Sequence, residues 1–245
     1  MPATWNGILS TSRSEPLTLP GLAWPIELRS HPRAKAMRLR LDESRELLVL
    51  TVPRRIGRRT ALQWAERQSS WIDAQLARLQ PREPFHPGAT IPFEGREIDL
   101  AWDEARPRTP VIGGNVLQCG GPIESFAARI ERFLRSEARR RLSETTLEMA
   151  ERAGVTVSSV SVGDANSRWG SCSASGAIRY NWRILLAPPH LLRWLAAHEV
   201  AHRRHMNHGP QFRALEAELY GGDVQAVRGE LRALGPRLKR VGLRL

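Results

Sequence analysis

The residues with the clearest chemical potential lie in one stretch, His190 to Phe212, which reads HLLRWLAAHEVAHRRHMNHGPQF. Within it stands His198-Glu199-Val200-Ala201-His202. Two histidines four residues apart share one face of a helix, one turn above each other, so both imidazoles can reach one ion. Glu199 is offset around the helix and can touch a water on that ion without ligating it. That is the mechanical logic of the His-Glu-x-x-His pattern, in which the glutamate is the general base of a hydrolase. A catalytic zinc needs a third protein ligand and an open position. His205 and His208 are the nearest candidates. On a straight helix His205 would lie about 10 Å along the axis from His198, too far to converge. His208 precedes Gly209-Pro210, where a helix can end and the chain can turn back. It also follows His202 by six residues, the step of metzincin-type motifs. Those motifs carry glycine at the bend, where this chain has His205. His208 is therefore predicted as third ligand, with Glu216 or Glu218 as the alternative, and one zinc ion is expected per chain.

Such a site hydrolyses a carbonyl compound, with Glu199 taking a proton from the attacking water and passing it to the leaving amine. The oxyanion needs a partner, and Tyr180, Tyr220, Arg168 and Arg183 are the candidates. The two cysteines, Cys119 and Cys172, form no CxxC pair and are too few for a four-cysteine zinc site. They are read as free, partly buried thiols.

The elements that must position these residues follow from periodicity. The stretch beginning at Pro188-Pro189 is a helix, with Ala196, Val200 and Ala201 suited to packing inside a domain. Upstream, Asn166–Cys172 and Ala177–Leu186 read as a hairpin around Ser173–Gly176. In its second strand Ile178, Tyr180, Trp182 and Ile184 lie on one side, and Arg179, Asn181 and Arg183 on the other. A strand beside the helix could take an extended peptide at its edge. A long helix runs from about Ile123 to Ala153, with Phe126, Ile130, Phe133 and Leu134 as its apolar stripe and Gly154 as its stop. Helices are also expected from about Gln211 and Val224. Nearer the amino terminus, Met37–Leu41 and Leu47–Val52 form a hairpin across Asp42-Glu43-Ser44. A helix spans Thr60–Leu79, and short strands follow at Thr90–Phe93, Glu97–Trp102 and Asn115–Cys119. The predicted organisation is a loose arm over 1–24, a β-rich part over 25–121 with one long helix, and a catalytic part over 122–245.

A chain of 245 residues with 41% hydrophobic content can bury a sizeable core. No stretch approaches membrane-span length, and the start lacks the pattern of a secretory signal, so a cytoplasmic location is expected. The net charge is +12, nearly all of it arginine. That balance admits an acidic partner, nucleic acid above all. The rival to a hydrolase is accordingly a nucleic-acid-associated binding protein with a structural or idle zinc site, contacting phosphates through Arg228 to Arg244. A general base beside the ligands speaks for the enzyme.

Ser167-Arg168-Trp169-Gly170-Ser171-Cys172-Ser173, Tyr180-Asn181-Trp182-Arg183, Leu186-Ala187-Pro188, and then HEVAH with MNH and Phe212 together resemble the YgjP-like zinc metallopeptidases. That family looks related to the SprT and WLM groups. The resemblance is strongest from about Val160 to Phe212. The upstream hairpin and helix, with Trp71-Ile72, are more weakly similar. It implies an α+β, zincin-like fold, a zinc ion and peptidase activity on a protein or peptide substrate. It carries His198, Glu199, His202 and His208 over directly. SprT-like relatives are associated with proteins bound to DNA, so nucleic acid enters as a further implied partner.

Overall fold

A computed structural model describes residues 15–43, 45–165 and 168–243. The chain separates into two compact units, one ending at Leu79 and the other spanning Gln80–Leu245. The mixed α and β composition is as expected, but the strands of 90–119 group with the helices after them. Ile91, Phe93, Ile98, Leu100 and Leu117 share one apolar core with Phe126, Ile130 and Leu134.

In the first unit the predicted hairpin is present as β2 (Arg38–Asp42) against β3 (Leu47–Pro53), antiparallel. Ser44 of its turn lies outside the described residues. A strand missing from the sequence reading, β1 (Ile26–His31), pairs in parallel with β3 and gives the order β1-β3-β2. The segment read as a loose arm is held from Leu17 onward. Leu17 exchanges backbone hydrogen bonds with Ile26 at 2.9 and 2.8 Å, and Leu19, Leu22 and Trp24 pack on the core. Residues 1–14 lie outside the described set. The predicted helix over Thr60–Leu79 is two, α1 (Arg58–Glu66) and α2 (Ser69–Leu76). Gln68, at φ −93° and ψ 9°, leaves helical geometry between them.

In the second unit β4 (Thr90–Phe93), β5 (Arg96–Trp102), β6 (Val111–Gly113) and β7 (Val116–Cys119) form a sheet in the order β4-β5-β7-β6. The turn from β4 to β5 has Glu94 and Gly95 at φ 52° and 77°, the left-handed pair that suits a tight hairpin. A Cβ at Gly95 would lie 2.9 Å from the Pro188 ring. Glu94 and Gly95 donate backbone hydrogen bonds to Leu185 and Leu186 at 3.1 and 3.2 Å. The turn thus clamps the segment that feeds the metal-motif helix. The long helix α3 (Phe126–Ala153) follows a 3-10 turn over Ile123–Ser125. Gly154, at φ 61°, stops it as predicted.

Next come β8 (Ser159–Gly163), β9 (Gly170–Cys172) and β10 (Ala177–Asn181). β10 is central, parallel to β8 and antiparallel to β9, so the predicted hairpin is present as β9 and β10. The alternation expected to Leu186 stops at Asn181, whose side chain accepts from Arg183 N and turns Trp182–Leu186 into a 3-10 segment. α4 (Pro189–Ala201), α5 (Pro210–Tyr220) and α6 (Val224–Leu238) complete the chain. Both cysteines are free, Cys119 buried and Cys172 half-buried. Among the described residues no helix is long and apolar enough to cross a membrane.

Candidate metal centre

α4 starts on Pro189 at its first turn and is buried along most of its length through Leu191, Trp194, Leu195, Ala197 and Val200. It ends at Ala201, so His202 is the cap and the backbone turns away immediately. This early stop, before Asn207, brings His208 back over the helix end. The ring centroids lie 5.0 Å apart for His198 and His202, 5.2 Å for His198 and His208, and 4.7 Å for His202 and His208. One nitrogen from each lies within 4.8 Å of the others. His205 is outside this cluster.

Hydrogen bonds fix which nitrogens face inward. His198 Nδ1 is 2.9 Å from Glu216 Oε1, and His202 Nδ1 is 3.2 Å from the His205 carbonyl. Each Nδ1–H donates, which leaves Nε2 as an acceptor for a metal. His198 Nε2 and His208 Nε2 stand 3.3 Å apart. Two nitrogens each about 2.0–2.1 Å from a tetrahedral centre would be separated by about 3.3–3.4 Å, so this pair is spaced as two ligands of a zinc-sized ion would be. Burial, then the neighbouring His198, lowers the pKa of both His202 and His208, which favours the neutral form that ligates.

Glu216, weighed as a ligand from sequence, has another task. It is fully buried, and its carboxylate takes hydrogen bonds from Trp194 Nε1 at 2.9 Å and Arg228 Nη2 at 2.7 Å as well as from His198. Burial works against its charge, but His198 and Arg228 outweigh it and hold the pKa below the usual carboxylate value. It orients His198, as carboxylates behind metal-bound histidines do. Glu218 lies exposed on α5 and accepts Arg152 through its backbone carbonyl. Phe212, one helical turn before Glu216, is buried with its ring 5.1, 4.6 and 4.6 Å from the three histidine rings. It is the apolar floor of the cluster.

Glu199 is 3% exposed, and burial pushes its pKa up to about 7 against the opposing influence of His198 and Arg168. The room for its carboxylate comes from Gly170 on β9: a Cβ there would lie 2.7 Å from the Glu199 carboxyl carbon. Sequence reading missed Gly170. The only local signal was glycine in a short strand, which marks close approach by another group.

The four oxyanion candidates separate. Tyr180 is buried, with its hydroxyl 2.9 Å from Thr146 Oγ1, and burial raises its pKa. Arg183 is buried too, not on an outer face: it donates to the Val241 carbonyl at 2.7 Å and pairs with Asp164. Tyr220 closes α5 with its ring over Gly222. Arg168 is exposed and acts electrostatically on Glu199. Tyr180 and Arg183 thus have protein partners for their polar groups, and Arg168 is the exposed candidate whose charge acts on Glu199. Within the basic terminal run, Arg228 is committed to Glu216, Arg237 pairs with Glu83 and Glu97, and Arg240 is buried. Arg244 lies outside the described residues.

A model of the family described as YgjP-like, metallopeptidase domain, matches residues 35–233. No curated protein and no solved structure gives a significant match.

Proposed function

The chain belongs to the YgjP-like metallopeptidase family, and from that premise we propose that it is a zinc-dependent peptidase using His198, His202 and His208 as ligands and Glu199 as general base. The observation that carries this reading is the convergence of three imidazole nitrogens within 4.8 Å beside a buried carboxylate. An all-nitrogen set of three suits zinc better than magnesium or calcium, which prefer oxygen. When bound, such an ion acidifies a coordinated water and polarises the scissile carbonyl.

The protein residues supply the rest. Glu199 receives the proton of the attacking water and delivers it to the departing amine nitrogen. Its raised pKa suits that exchange near neutrality. Gly170 leaves the carboxylate its space, Glu216 fixes the plane of His198, and Phe212 keeps the underside of the histidines dry. Arg168 is the residue offered to the developing oxyanion. The edge of β9 away from β10 can accept an extended peptide by main-chain hydrogen bonding. A cytoplasmic location agrees with the two free thiols.

The test is Glu199→Gln, assayed for both zinc content and peptide cleavage. Full zinc with cleavage reduced by about 10³-fold or more is expected for loss of the base together with its charge. Unchanged cleavage would remove Glu199 from its role.

A further inference from the structure

In the unit ending at Leu79, charge is sorted along the small sheet. β1 and β3 run parallel, and β2 begins where they end, with Arg38 opposite Thr51 and His31 opposite Pro53. This one end of the sheet therefore gathers the β1–β2 connection, the start of β2, the chain after β3 and the first turn of α1. The segments involved, 30–41 and 51–65, contain no acidic residue. They carry Arg33, Lys35, Arg38, Arg40, Arg54, Arg55, Arg58 and Arg59, all exposed. None of these eight makes an ion pair among the described residues. The acids of the sheet sit at its other end: Glu27 on β1 pairs with Arg29 and Arg45, and Asp42 closes β2.

The basic end has shape as well as charge. His31, Arg33, Lys35, Met37, Arg38 and Arg40 line a concavity of about 570 Å³ with no carboxylate in its wall. Arg38 and Arg40 are both exposed while Leu39 and Leu41 pack on the core, so the two arginine side chains leave the same face from backbone positions about 7 Å apart. α1 opens on Gly57 with no side-chain cap and no acid in its first turn, which leaves backbone N–H groups facing outward among the arginines. Among the described residues the exposed large apolar side chains are Trp71, Val111, Ile123, Leu147 and Met206, none of which falls in segments 30–41 or 51–65. A surface of arginine forks without apolar anchors matches a chain of phosphates better than an acidic peptide, which would need pockets for its side chains.

We propose that this end of the amino-terminal unit binds the phosphodiester backbone of nucleic acid. Its arginines contact phosphates and its connecting loop cradles the strand. Binding is independent of base sequence, since the contacts are to the backbone, and it falls steeply with salt. The proposal does not rest on the peptidase reading, and it assigns the contact to residues of the amino-terminal unit instead of the carboxyl-terminal run Arg228 to Arg244.

The experiment uses the full chain and a fluorescein-labelled 20-base-pair DNA duplex of arbitrary sequence, followed by anisotropy from 50 to 200 mM salt. One variant combines Arg33→Gln, Lys35→Gln, Arg38→Gln and Arg40→Gln; a second combines Arg54→Gln, Arg55→Gln, Arg58→Gln and Arg59→Gln. A control removes equal charge from the other unit through Arg96→Gln, Arg132→Gln, Arg139→Gln and Arg232→Gln. Each of the first two is expected to weaken binding at least about tenfold at 50 mM salt and to flatten the log–log salt slope by about 2–4, the control by less than about threefold. The second set lies outside the strands, so it reads the same surface if the first destabilises the sheet. Equal losses in the control would mean diffuse attraction by net charge and would overturn the proposal. Competition separates the remaining ligands. Polyglutamate displacing the duplex as well as DNA does, or inorganic polyphosphate binding where DNA does not, would overturn it too.

Discussion

Around the metal motif, charged groups are held by partners: Glu216 has three donors, Arg228 is tied to it, and each Nδ1 of His198 and His202 has its acceptor. At the basic end of the first sheet, the cations stand exposed and without ion pairs among the described residues. The first arrangement fixes direction. An imidazole whose far nitrogen is committed can present only its near one, and only within a narrow range of angles. The second arrangement fixes little beyond sign, which is enough for a uniform polyanion and too little for chemistry. Preorganisation therefore tells the two regions apart where charge alone would not. It is obtained by burying the supporting groups, Glu216 at 0% exposure among them.

The largest effect expected from breaking this order is at a ligand. His208→Ala should empty the metal site, whereas His205→Ala should change affinity by less than about threefold, because His205 serves His202 through its backbone carbonyl. Zinc affinity under chelator competition checks the pair. The opposite outcome, an empty site in the His205 variant, would remove His208 from the ligand set.

A second, smaller break is Glu216→Gln. The amide keeps the shape but loses the charge that faces His198 and Arg228. Metal affinity is expected to fall about 10–100-fold, with the ligands all in place. Removing half of a buried ion pair also costs stability, so a lowered thermal midpoint should accompany it. Zinc affinity and midpoint both at the wild-type value would mean that Glu216 neither orients His198 nor supports the fold.

The third sharpens the comparison without touching a charge. Gly170→Ala places a methyl group against the Glu199 carboxylate, the free end of a side chain that can swing aside. Zinc content should stay full and the fold intact, while kcat/KM drops by about 10–100-fold because the base is displaced by an ångström or so. Wild-type cleavage in this variant would show that the carboxylate has slack that the geometry denies it.

Much of this is legible in the sequence alone. His198 and His202 share a face because helical periodicity demands it, and Gly154 ends α3 because a left-handed residue there has no Cβ to clash. β2 is legible by alternation, β3 by its apolar run, and β4, β5 and β7 as short strand segments between turn residues. Less legible were β1, whose parallel partner is distant in sequence, and the break at Gln68, where residues on one helical stripe continue in phase across a kink. Arg183 and Tyr180 looked like reagents because their functional groups are reactive in type. Only packing shows that Val241, Asp164 and Thr146 already satisfy them.

By itself, then, the sequence determined the local quantities: the spacing of His198 and His202, the offset of Glu199 between them, and the turn-forming Gly209-Pro210 after His208. Each depends on a few adjacent residues and on backbone geometry common to all chains. Tertiary structure decided the rest. Gly170 stands 29 residues before Glu199, Glu216 18 after His198, and Arg228 12 beyond that. None of these separations lies within a single element. Their roles arise because β9, α5 and α6 pack around the end of α4, and a buried carboxylate acquires its partners only when those surfaces close and exclude water.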